Sequence, residues 1–173
     1  MQAIDLVRRM NAHRKWVNAR LCDAAGQLTD AQRRRRFDIG HGSVHATLTH
    51  LYGAESAWLG ALRGNPDAPL CRDDQFETFE QLTTAWTALR QDWDRYLAQL
   101  DDEALTRTIT KRSTSSFPSL VIAIPASDVL MHVCTHAQYT TAQCANMFRR
   151  LGVSVPDTML VTLSRLEHME KPS

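Results

Sequence analysis

Long hydrophobic runs are missing from these 173 residues: no apolar stretch approaches the roughly 18 residues that a membrane span requires. The opening MQAIDLVRRMNAHRKW carries charge inside every turn, which leaves no apolar region for a secretory signal. Charge of one sign is missing too. Twenty Lys and Arg against nineteen Asp and Glu give a net charge of +1, so no global field recruits nucleic acid. The one basic run, Arg33 to Arg36, lacks interleaved aromatics and reads as the solvated face of a connecting segment. Cysteine is sparse. Cys22, Cys71, Cys134 and Cys144 are scattered without a C-x-x-C or a tight cluster, which excludes a dense disulfide framework and points to free thiols in a reducing compartment. No serine sits on a strand-turn-helix elbow, so a Ser-His-Asp triad has no support. The expectation is a cytoplasmic protein with neither membrane nor nucleic acid as a partner. At 43% hydrophobic and 23% charged residues, it reads as one domain, 1–173, large enough to bury a core.

What is present is helical periodicity. From Ala3 to about Gln27, Ile4, Val7, Met10, Val17, Leu21 and Ala24 recur at intervals of three, four or seven, and Gly26 stands where the helix should stop. Thr29 offers an N-cap for a short turn. Ser43 does the same for a helix running to about Arg63, stopped by Gly64-Asn-Pro. Along that helix Val44, Leu48, Leu51, Glu55, Trp58 and Leu62 share a face, so one inward position is a carboxylate. Beside them run Ala46, Ala54, Ala57 and Ala61, with His50 standing among the small side chains. Phe79, Leu82, Trp86, Leu89, Trp93, Tyr96 and Leu100 hold a three-four alternation that reads as aromatic core rather than a base-stacking platform. Thr106 to Lys111 and Ser119 to Ile124 are rich in β-branched residues and predict a small hairpin or an extended crossover. A fourth long helix should begin with Ser127 as cap and end near Gly152. A last helix begins at Pro156-Asp157 and carries Met159, Leu160, Leu163 and Leu166. These elements predict an all-α four-helix bundle with a C-terminal fifth helix and a small hairpin before helix four.

The stretch Met131 to Gly152, MHVCTHAQYTTAQCANMFRRLG, carries the chemistry. His132 and His136 are four residues apart, so both imidazoles fall on one helix face, one turn apart. Such a pair can grip a metal ion when a third ligand arrives from another element. It is equally the pattern of two hydrogen-bonded histidines on a half-buried helix. Bundles place metal sites between facing helices, and His50 is the natural partner for His136.

Three segments in register, WVNARL from Trp16, HLYGAESAW from His50, and HVCTHAQYTTAQCANMFRRLG from His132, resemble the DinB/YfiT-like proteins over nearly the whole chain. The resemblance implies a four-helix bundle that binds a divalent metal, nickel or zinc, through three histidines: one from the second helix and two from an H-x-x-x-H-R-G-Q pattern on the fourth. Laid on this chain, the ligands correspond to His50 and His136. The third falls on Thr140, and the Arg-Gly-Gln that should follow reads Thr141-Ala142-Gln143. A threonine hydroxyl is a poor ligand beside imidazole. His132, Glu55 or His45 can be asked to fill the vacancy, or the site holds no metal.

By resemblance, the first expectation is a divalent-metal-dependent hydrolase or a transferase that uses a low-molecular-weight thiol. In it His50, His136 and His132 are metal ligands and Glu55 is a general base. Tyr139, Thr140 and Gln143 line the cleft. For Glu55 the competing reading is a buried acid paired with a cation on a facing helix. The second expectation is a metal-free binding module, dimeric as relatives often are, meeting its partner through Trp58 or the residues around Phe148. Cys134 and Cys144 are read as packing residues rather than reactive thiols.

Overall fold

The computed structural model describes residues 2–112 and 120–169. Four long helices, α1 (Ala3–Gly26), α3 (Val44–Leu62), α4 (Phe79–Ala98) and α5 (Ala126–Arg150), build the bundle, and a short α2 (Asp30–Arg34) fills the first connection. Helix α1 packs on α5 and α4, and α3 packs on the same two, so the ring order is α1, α4, α3, α5.

Local chemistry sets the boundaries. Thr29, Ser43 and Thr78 each accept a backbone N–H three residues on, satisfying a donor that the first turn leaves unpaired. Gln32 and Gln81 reach back to complete capping boxes. Helix α4 buries Leu82, Trp86, Leu89, Trp93 and Tyr96, as its alternation predicts, with Leu100 buried just beyond its end. Each large apolar side chain taken out of water stabilises the fold by about 1.5–3 kcal/mol. Met147 and Phe148 are fully buried, so Phe148 has no surface to offer a partner.

Arg33 is not merely solvated: its guanidinium caps the end of α1 by donating to the Ala25 and Leu28 carbonyls and lies over Phe79. Strands β1 (Thr108–Arg112) and β2 (Val121–Pro125) pair antiparallel, from Thr108 opposite Pro125 to Arg112 opposite Val121. Alternation turns Ile109 and Lys111 inward. Ser119, placed at the start of the second strand from sequence, lies outside the described residues.

Three local expectations are corrected. Helix α5 starts two residues earlier than a Ser127 cap implies, with Pro125 at the cap position, and Ser127 sits in the first turn. Helix α6 (Leu160–Met169) begins at Leu160 rather than at Pro156-Asp157, which leaves Met159 ahead of it, and of the residues expected on it Leu163 is buried. In α1 Met10 is exposed, and the inward seam runs through Asn11, Arg14 and Asn18. No helix is long and apolar enough to cross a membrane among the described residues.

Candidate metal centre

His50 projects from the small-residue face of α3 and His136 from the middle of α5. Their Nε2 atoms lie 3.2 Å apart and their ring centroids 5.2 Å apart, tilted by 58°. Two nitrogens bonded at about 2.05 Å to one tetrahedral ion lie about 3.3 Å from each other. The observed separation is therefore that of two ligands sharing an ion, and equally that of a neutral donor–acceptor pair.

A third imidazole stands beside them that the sequence reading did not single out. His41 belongs to the loop between α2 and α3, and its ring stacks on His50 with centroids 3.7 Å apart and planes 22° apart. His41 Nδ1 lies 2.9 Å from Asp73 Oδ2. Ligand atoms of His41, His50 and Asp73 all fall within 4.8 Å of one another, and no other such group of three occurs among the described residues. The available signal was the Gly-His-Gly sequence: Gly40 and Gly42 have φ of +50° and +82°, which lets a tight loop carry His41 over α3.

Burial holds the His50 imidazole down to about 4, with His41 and His136 beside it adding to the effect. His136 is lowered by burial and then by His132, and His132 by burial. All three are poised as neutral rings, the form that binds a metal.

His50, His132 and His136 line a cavity of about 200 Å³ together with Trp58, Leu70 and Ile122. His132 packs edge-on against Trp58, with centroids 5.4 Å apart, and its ring centroid stands 5.8 Å from that of His136. It walls the cavity rather than joining the closest cluster. Lys111 and Arg112 of β1 close the polar end: Lys111 Nζ donates to the Ala68 carbonyl at 2.7 Å, and Arg112 Nε to Asp67 at 2.6 Å. Strand alternation from Ile109 was the signal that could have found Lys111.

The remaining sequence candidates go elsewhere. Glu55 is 2% exposed and faces α1 and α4, where it pairs with Arg14 and accepts from Asn18 Nδ2 at 2.6 Å and Trp86 Nε1 at 3.4 Å. A carboxylate so saturated is a structural ion-pair member and has no position from which to serve the histidines as a base. Thr140 is buried and donates its hydroxyl to the His136 carbonyl at 2.9 Å, one turn back along α5. Tyr139 is 68% exposed and does not line the cavity. Gln143 packs its amide against Gly40, where any Cβ would collide with it. His45 is turned away, its Nε2 2.9 Å from the Phe76 carbonyl.

The DinB family model matches residues 2–171. The chain belongs to the DinB family. A DinB-like protein from Bacillus cereus ATCC 10987 shares its fold with a TM-score of 0.63 at 16% identity, covering 83% of this chain and 91% of that one. YfiT from Bacillus subtilis, described as a probable metal-dependent hydrolase with an unusual four-helix bundle topology, also gives 0.63 at 16% identity, over 85% and 87% of the two chains. No curated protein matches the sequence. Within this DinB-family chain the residues fit a divalent cation: His50 and His136 nitrogens at ligand spacing, both rings held neutral by burial, with His41 and its carboxylate partner Asp73 beside them.

Proposed function

We propose that this DinB-family chain is a divalent-metal-dependent hydrolase acting on a small molecule. His50 and His136 hold the ion, and the loop that carries His41 supplies the third donor in place of the histidine absent at Thr140. The 3.2 Å approach of His50 Nε2 to His136 Nε2 across two helices supports this reading most directly. Zinc or nickel suits such a donor set.

When bound with one position open, such an ion makes water a competent nucleophile near neutral pH and polarises a substrate oxygen. The chain supplies the rest. Asp73, accepting from His41 Nδ1–H, orients that ring and leaves its Nε2 as the nitrogen free to hold an ion. Trp58, Leu70 and Ile122 give the cavity an apolar wall that excludes bulk water. Lys111 spends one N–H on Ala68 and retains two donors for a substrate oxygen that gains charge.

The test loads purified protein with Zn²⁺ or Ni²⁺, counts ions per chain, and assays small ester and amide substrates with and without a low-molecular-weight thiol. One ion per chain and metal-dependent hydrolysis without thiol are expected. Turnover only with thiol would make the centre a thiol transferase, and failure to take up either metal would leave a metal-free binding module; either result overturns the proposal.

A further inference from the structure

The basic run Arg33 to Arg36 sets four guanidinium groups next to one another, and three of them are engaged within the fold. Arg33 caps α1 and lies over Phe79, Arg34 pairs with Asp30 and donates to the Glu77 carbonyl, and Arg35 lies over Phe37 with its Cζ 5.4 Å from the ring centroid. Arg36 is exposed and has neither an ion pair nor a hydrogen-bond acceptor among the described residues. Its guanidinium is seated on Gly42: a Cβ there would stand 2.8 Å from Cζ and 2.9 Å from both Nη atoms. Gly42 has a φ of +82° and directly follows His41, so the one residue type without a side chain seats Arg36 beside the loop that carries the third imidazole.

Arg36 lines an open cavity of about 560 Å³ together with Arg34, Arg72, Ser43, His45 and Asp73. The side chains of Arg34 and Arg72 are 40% and 81% exposed, so these donors are open to a solute. Asp30 takes Arg34, Asp74 takes Arg72, and Asp73 is committed to His41 Nδ1, which leaves Arg36 as the cation with no acid in contact. The cavity adjoins the imidazole cluster. Asp73 lines it and His50 lines the 200 Å³ cleft, and with His41 their ligand atoms lie within 4.8 Å of one another. Ala46, one turn before His50 on the same face of α3, lines it as well. The cluster therefore borders both an apolar-walled cleft and a guanidinium-lined one, and a molecule held there can extend into each.

We infer that Arg36 is a specificity residue of the proposed centre, whose substrate is a small ester or amide carrying a carboxylate; this rests on the hydrolase reading. The apolar arm lies against Trp58, Leu70 and Ile122, the bond to be broken lies at the imidazole cluster, and the carboxylate accepts two parallel N–H bonds from Arg36. A neutral molecule of the same shape leaves Arg36 to water. Because Arg36 is exposed, water screens the contact and the gain is modest.

The experiment titrates N-benzoylglycine and its neutral counterpart N-benzoylglycinamide into the full chain by calorimetry, with and without Zn²⁺, and follows benzoate release from both in the zinc-loaded protein. The acid should bind about fivefold tighter in either state, and its hydrolysis should show the same preference in KM with little change in kcat. Arg36→Gln, at an exposed position with no internal bond, should abolish the preference by weakening the acid alone. A preference that survives in Arg36→Gln would mean that another group reads the carboxylate. Equal affinities in the parent, or no binding of either compound, would mean that nothing does. Each of these results overturns the inference and leaves the hydrolase reading to its own test. An Arg36-dependent preference without benzoate release from either compound would support the carboxylate contact and count against hydrolysis.

Discussion

In the proposed reading of the centre, Thr140 stands where a third histidine ligand would be. Its side chain is too short to reach the cleft and is engaged with the backbone of its own helix. Replacing it with histidine restores a nitrogen one turn beyond His136, so Thr140→His should raise zinc affinity at least tenfold in competition with a chromophoric chelator. No gain would show that the two helices are not in the register inferred from the fourth-helix pattern. His132→Ala should leave affinity within a factor of about three, since its ring packs on Trp58, with its centroid 5.8 Å from that of His136. Glu55 makes a separate prediction. Glu55→Ala leaves Arg14 buried without its partner, which costs about 3–5 kcal/mol in chemical denaturation and leaves metal affinity unchanged.

Thiol chemistry follows the same logic of burial. Burial pushes the Cys22 thiol up to about 12, Cys134 to about 11 and Cys144 higher still. Cys71 is also raised, by burial and by Asp73 and Asp74, but it is only half-buried. A raised thiol pKa means less thiolate at any pH below it, so iodoacetamide at pH 8 should modify Cys71 first and the other three only on unfolding, with all rates rising toward pH 9. Peptide mapping by mass spectrometry reads this directly.

At the scale of elements, the loop joining α2 to α3 carries the inference that differs most from the family pattern. Gly40 has φ +50° and lies against the Gln143 amide, so Gly40→Ala both strains the loop and displaces it from α5. Metal affinity should fall at least tenfold, with a smaller loss of global stability. Asp73→Asn, which keeps shape but removes the charge behind His41, should lower affinity by about 10–100-fold. Equal affinity in both variants would remove His41 from the centre.

The elements also show what the sequence could disclose. Helix α4 is legible because it buries one apolar stripe at helical spacing; α3, buried on most of its faces, is legible from its Ser43 cap and its Gly64-Asn-Pro stop, and His50 and His136 are legible because they sit on such helices. In α1 Ile4, Val17, Leu21 and Ala24 are buried as their spacing predicts, but the same helix also buries Asn11, Arg14 and Asn18, polar residues that hydropathy assigns to the outside; Arg14 and Asn18 are held inward by Glu55 of α3. His41 was hidden for a related reason: its neighbours His50 and Asp73 are brought to it by loop closure, which leaves no periodic trace.

At the scale of the whole molecule, the bundle presents two separate polar interiors, an imidazole cluster between α3 and α5 and a guanidinium-rich void between α1 and α4. Binding to the folded state alone raises stability by mass action, about 2.7 kcal/mol at a hundredfold excess over the dissociation constant. Zinc should therefore raise the melting temperature of the parent and leave that of His50→Ala/His136→Ala unchanged. The most direct measurement is an anomalous-scattering map of crystals grown with one equivalent of Zn²⁺ or Ni²⁺. A single peak about 2.0–2.1 Å from both His50 Nε2 and His136 Nε2 is the result expected for a shared ligand pair. A map with no peak there, or with the ion bound elsewhere, would contradict it.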